Sequence, residues 1–122
     1  MWLKCFKSME HDLQVGCVRW FRLAYPSLGR LLFAIPNGGQ RNVIVARKLK
    51  AEGVVAGVPD LFLAVKRGGY GGLFIEMKNG TAGKLSETQK TMCDLLQTAG
   101  YKVAVCRSFE EFEHTIKLYF EL

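Results

Sequence analysis

Leu13, Cys17, Trp20, Phe21 and Ala24 recur at i, i+4, i+7, i+8 and i+11, the apolar stripe of an amphipathic helix that must stop before Pro26. Arg30 to Ile35 is a short apolar run closed by Pro36-Asn37-Gly38-Gly39, which predicts a strand and a turn. From about Asn42 to Glu52, Val43, Ala46 and Leu49 share one helical face, with Arg41, Arg47, Lys48 and Lys50 around it and Gly53 as the stop. Leu61 to Val65 and Leu73 to Lys78 are strand-like, and the glycine-rich link between them, Lys66 to Gly72, suits an antiparallel hairpin. Ser86 and Gln89 form an S-x-x-Q capping box before a helix with Met92, Leu95, Leu96 and Ala99 on its apolar face and Gly100 at its end. A strand at Tyr101 to Cys106 follows. Ser108-x-x-Glu111 then caps a last helix that turns Phe109, Phe112, Ile116, Tyr119 and Phe120 inward.

The order helix, strand, helix, strand, strand, helix, strand, helix predicts an α/β fold, a mixed four-stranded sheet flanked by helices. No internal repeat or linker interrupts it, so residues 1–122 read as a single domain. With 49% hydrophobic residues in 122, such a domain can bury a core without disulfides. Cys5, Cys17, Cys93 and Cys106 include no C-x-x-C pair, and with His11 and His114 they assemble no zinc spacing; buried reduced thiols are the expectation. The opening residues Met1 to Lys7 break their apolar positions with lysines, and no run approaches the roughly 18 apolar residues of a membrane span. A cytoplasmic protein with no membrane partner is expected. The net charge of +6 and pI near 9.3 favour a polyanionic partner.

Candidate chemistry concentrates between Pro59 and Lys78. Strand alternation puts Glu76 and Lys78 on one face with Phe74, and Leu73, Ile75 and Met77 on the other. Asp60, directly after Pro59, begins the preceding strand, and an antiparallel hairpin returns the Glu76-Met77-Lys78 end to its side. Three readings compete for this group: a structural ion pair, a solvent-facing charged strand end, or carboxylates holding a hard divalent cation. Glu10, three residues before Leu13, begins on the inward face of the first helix. It is either a first-turn carboxylate complementing the helix dipole, which the pattern alone favours, or an inward acid that a metal or a hydrogen-bond donor would justify. Gly80-Thr81-Ala82-Gly83-Lys84 lacks the gap of a P-loop, and Gly69-Tyr70-Gly71-Gly72 lacks the end of a dinucleotide fingerprint, so no nucleotide cofactor is expected.

Gly57-Val58-Pro59-Asp60 and Ile75-Glu76-Met77-Lys78 resemble the motif of the PD-(D/E)XK nuclease superfamily, and the surrounding sequence resembles its VRR-Nuc (virus-type replication-repair nuclease) branch. Ile35-Pro36-Asn37, Ala51 through Asp60, Gln89 after the serine cap, and Gly100 through Val105 extend the resemblance over nearly the whole chain from Glu10 onward. One departure is Glu87, where the family often has proline. The resemblance implies a restriction-endonuclease-like core. It also implies that Asp60, Glu76 and the backbone carbonyl of Met77 bind Mg²⁺ or Mn²⁺, with Glu10 contributing directly or through water, which reverses the preference for Glu10 as a simple helix-end charge. Lys78 would orient or deprotonate the attacking water, and Gln89 would position Lys78 or that water, unless it serves only in the capping box.

The implied reaction is metal-dependent endonucleolytic hydrolysis of DNA phosphodiesters, leaving a 5′-phosphate and a 3′-hydroxyl. The resemblance is to the small stand-alone versions of phages and bacteria, expected to pair as homodimers and to act on branched DNA, a flap or Holliday junction, in replication, repair or recombination. Asn37, Arg41, Lys84 and Lys90 fall in or beside the loops expected around the site and are candidate substrate contacts, or are simply solvated. The rival reading is a nucleic-acid-binding module that keeps the fold without cutting; the joint presence of Asp60, Glu76 and Lys78 argues against it.

Overall fold

The computed structural model describes residues 2–36, 42–81 and 83–122, with side chains from Met9 onward. Its elements follow the expected order: α1 (Trp2–Ala24), β1 (Leu32–Ala34), α2 (Val43–Ala51), β2 (Leu61–Leu63), β3 (Leu73–Met77), α3 (Glu87–Thr98), β4 (Lys102–Cys106) and α4 (Phe109–Phe120). The four strands form one sheet in the order β1-β2-β3-β4, with β1–β2 and β2–β3 antiparallel and β3–β4 parallel. The two pairing modes follow from the connections. Between β2 and β3 the chain reverses at Gly68-Gly69, whose φ values of +56° and +85° suit a two-residue hairpin turn, and Arg67 and Tyr70 exchange backbone hydrogen bonds across it. A parallel pair instead needs a long crossover, which α3 supplies.

The sheet has two chemically different faces. Leu32, Leu61, Leu63, Leu73, Ile75 and Met77 are fully buried against Cys17 and Phe21 of α1 and Phe112, Ile116 and Tyr119 of α4. Trp20 meets Phe109 and Phe112 edge to face, which locks α1 to α4. On the opposite face Phe33, Phe62, Phe74 and Tyr101 make consecutive aromatic contacts. Beyond them, on the same face, lies Glu76, 4% exposed and the one buried charged residue among those described. α3 crosses this second face.

Departures from the sequence pattern have local causes. The first helix begins well before Leu13, because the early lysines are good helix formers and do not interrupt it. Arg30 and Leu31 belong to a 3₁₀ helix, Pro26–Leu31, opened by Pro26, which shortens the expected strand to Leu32–Ala34. α2 buries none of its residues: Val43 is 65% exposed and only Leu49 is half-buried, so the predicted Val43–Ala46–Leu49 face is not a core face. On α3, Leu95 is 58% exposed and Cys93 is the buried residue instead. No helix among the described residues is long and apolar enough to cross a membrane.

Tyr119 ties α4 to the end of the hairpin by donating its hydroxyl to the Val65 carbonyl at 2.6 Å inside the core. Replacing Tyr119 by Phe leaves that carbonyl without its donor and should cost roughly 1–3 kcal/mol of unfolding free energy, read as a lower denaturant midpoint at unchanged slope. An unshifted midpoint would mean that this bond does not help hold α4 to the sheet.

Candidate active site

Asp60 owes its position to the turn before it. Gly57 has a φ of +90°, and a Cβ there would stand 2.6 Å from the Thr88 carbonyl oxygen, so only glycine lets this turn press against the first turn of α3. Pro59 follows, buried. Extending the β2–β3 register, in which Leu61 pairs with Ile75, sets Pro59 opposite Met77. The Met77 N–H is taken by the Asp60 side chain, whose Oδ2 accepts it at 2.7 Å. The Met77 carbonyl points to the same edge, where proline has no N–H to offer. The strand pairing thus ends in a carboxylate and an open carbonyl.

Glu76 stands beside this pair. Burial, and then the negative charge of Asp60, push its carboxyl up to about 8; Lys78 opposes the shift and Glu10 adds to it. Lys78 Nζ is 3.7 Å from Glu76 Oε1, and Gln89 Nε2 donates to the same oxygen at 3.0 Å. Gln89 also completes the capping box: its Oε1 accepts from the Ser86 N–H at 2.9 Å, and its own N–H donates to Ser86 Oγ at 3.1 Å. The capping reading of Gln89 therefore holds, and the other end of the same amide reaches Glu76. Glu10 reaches the cleft from α1, and its carboxyl is raised, chiefly by burial, with Lys78 opposing and Asp60 reinforcing. Next to it Met9 Sδ accepts from the Asn79 amide at 3.9 Å, a weak contact that links α1 to the end of β3.

Glu10, Asp60, Glu76, Lys78 and Gln89 line one open cleft of about 380 Å³, walled by Gly57 and Thr88. As the side chains stand, no three acidic, thiol or imidazole groups among the described residues close around one point. The donor chemistry nonetheless fits a hard divalent ion: carboxylate oxygens, a carbonyl left open by Pro59, and a buried carboxyl whose charged form needs a positive neighbour.

The weaker expectations fare differently. Asn37 and Arg41 lie outside the described residues. Lys84 and Lys90 are exposed and line no part of the cleft, and Lys90 Nζ lies 3.3 Å from Glu87 Oε1 one turn back. Sequence reasoning gave no role to Gly57 or Thr88. The glycine before Val-Pro-Asp was a visible signal; the contact with Thr88 was not, because it is made through backbone.

The raised carboxyls make stability depend on pH. A carboxyl ordinarily near 4.5 and held at about 8 in the folded protein stabilises the fold while protonated, and that contribution is lost as pH rises between the two values. In EDTA, the melting temperature should therefore fall over this range, and Glu76→Gln should flatten the fall. A variant that keeps the full slope would locate the linkage elsewhere.

Residues 5–110 match the model of the VRR-NUC domain family. A solved structure described as a VRR_NUC domain protein superposes with a TM-score of 0.82 at 27% identity, covering 93% of this chain and 89% of its own. The curated proteins give no match. With its matching model, shared fold and cleft at the end of the hairpin, the chain belongs to the VRR-NUC family of nuclease-type domains.

Proposed function

We propose that this domain is a Mg²⁺- or Mn²⁺-dependent DNA endonuclease that hydrolyses phosphodiester bonds to a 5′-phosphate and a 3′-hydroxyl. The observation that carries the reading is the convergence of Asp60, Glu76 and Lys78 in one cleft, with Glu76 buried and pushed up to about 8. Asp60, Glu76 and the Met77 carbonyl would hold the ion, with Glu10 joining directly or through water. When bound, the ion offsets the carboxylate charge, attracts the phosphate and makes a water more acidic.

The chain's own residues supply the remaining parts. Glu76, held mostly neutral without a cation, would ligate in its charged form, its proton passing to solvent. Gln89 keeps the Glu76 carboxyl in one orientation by its 3.0 Å bond, and so acts as a positioning residue. Lys78 orients the attacking water from Nζ and sets its positive charge against the oxygens of the phosphorane, where charge builds in the transition state. The outer side of α2, with Arg47, Lys48 and Lys50 exposed, fits a backbone-tracking surface beside the cleft. Selectivity for a flap or four-way junction, a homodimer presenting two clefts to two strands, a cytoplasmic setting and a role in replication, repair or recombination complete the proposal.

Labelled linear duplex, flap and four-way-junction DNA incubated with Mg²⁺, Mn²⁺ or EDTA tests it. Cleavage should require the metal and favour the branched substrates. Asp60→Ala, Glu76→Ala and Lys78→Ala should each lose on the order of 10²–10⁴-fold in rate, and Gln89→Ala roughly 10–100-fold. Cutting in EDTA, or full activity in Asp60→Ala or Lys78→Ala, would overturn the mechanism. Binding without cleavage under every metal condition would establish the non-catalytic module instead.

A further inference from the structure

Arg107, one residue beyond β4, has no place in the family motif, yet its side chain reaches back across the sheet end to the link between β3 and α3. Its Nη1 donates to the Gly80 carbonyl at 2.9 Å and also to the Gly83 carbonyl. Gly83 in turn rests on Lys78: a Cβ at Gly83 would stand 3.2 Å from Lys78 Cδ and 3.4 Å from its Cβ. The backbone therefore lies against the aliphatic stem of the lysine, whose side chain is only 15% exposed and whose ammonium stands 3.7 Å from Glu76. Arg107 is itself anchored, because its N–H donates to Glu111 Oε2 at 2.6 Å and the next residue, Ser108, caps α4.

We propose that Arg107 is a positioning residue for Lys78, clamping the Gly80 and Gly83 carbonyls so that the link between β3 and α3 holds the lysine stem and aims its ammonium into the cleft. The inference rests on the nuclease reading for its effect on rate, but not for the clamp itself. Lysine carries a flexible four-carbon stem with several rotamers, and ordering it costs conformational entropy. A glycine backbone pressed along the stem removes those rotamers without adding a charge that would compete for Glu76. Two carbonyls held by one guanidinium nitrogen fix the link at two points, through charge-assisted bonds that are stronger than neutral ones. A side chain at Gly83 would push on the lysine stem, which would have to give by a few tenths of an ångström.

The test compares wild type, Arg107→Ala and Arg107→Lys by the rate at which acetic anhydride modifies Lys78, read by peptide mass spectrometry, with Lys48 and Lys50 of the same molecules as references. Labelling of the buried thiols of Cys17 and Cys106 in the same samples reports any general opening. Arg107→Ala should speed Lys78 modification about tenfold relative to the reference lysines, Arg107→Lys should fall between, and the two thiols should stay closed. On a cleaved DNA substrate, Arg107→Ala should lower kcat on the order of 10²-fold, as a misplacement of about 1 Å can, with KM little changed. Lys78 modified at the wild-type rate in Arg107→Ala, or accelerated only in step with the core thiols, would overturn the proposal. A wild-type protein that cuts no DNA would defeat the nuclease reading while the labelling still decides the clamp.

Discussion

A carboxyl group buried on a sheet face must be neutral, paired or bound to a cation, and at Glu76 that requirement organises what surrounds it. Gln89 donates to one of its oxygens, Lys78 brings a positive charge to the same oxygen, and Asp60 presses a second negative charge on it while being satisfied by the Met77 N–H. In the absence of a cation the remaining solution is a proton, which is why the group is pushed up to about 8. None of these neighbours is incidental to the fold. Pro59 ends the pairing of β2, Gly57 lets the turn touch α3, and the capping amide of α3 is the one that reaches Glu76. The elements that shape the cleft are the same ones that satisfy a misplaced charge.

Most of the fold was legible because each element carries its own local signal. Ser86 with Gln89 and Ser108 before Phe109 fixed helix starts by side-chain chemistry, and period-2 alternation separated the two faces of β3. The reading failed where local periodicity does not report tertiary surroundings. Leu95 and Val43 sit at positions that a helical wheel assigns inward, yet α3 is covered along one narrow strip and α2 lies outside the main core. The hairpin expected from the glycine-rich link formed, and Gly68 and Gly69 place its turn. For Ser108 the cap formed, but Glu111 closed back on the Arg107 N–H rather than on Ser108.

The site divides in the same way. Asp60, Glu76 and Lys78 were visible from strand alternation and hairpin geometry, since both are properties of adjacent sequence. Glu10 was not, because its distance from the hairpin depends on how α1 crosses the sheet; only the family resemblance raised it above a helix-end charge. Gln89 was seen in its capping role, and its second contact needed the three-dimensional approach of α3 to β3. Arg107 and Gly83 left no trace, as a side chain that binds backbone carbonyls constrains no partner residue type.

Calorimetric titration of the protein with Mn²⁺ at pH 7, in two buffers of different ionisation enthalpy, measures proton release and tests whether the buried carboxyl is the cation's seat. Binding should expel on the order of one proton, since a carboxyl near 8 is mostly protonated there and ligates only when charged. Glu76→Gln should bind more weakly and lose that release. Binding of equal strength in Glu76→Gln, or binding by wild type with no proton released, would contradict Glu76 as the cation's seat.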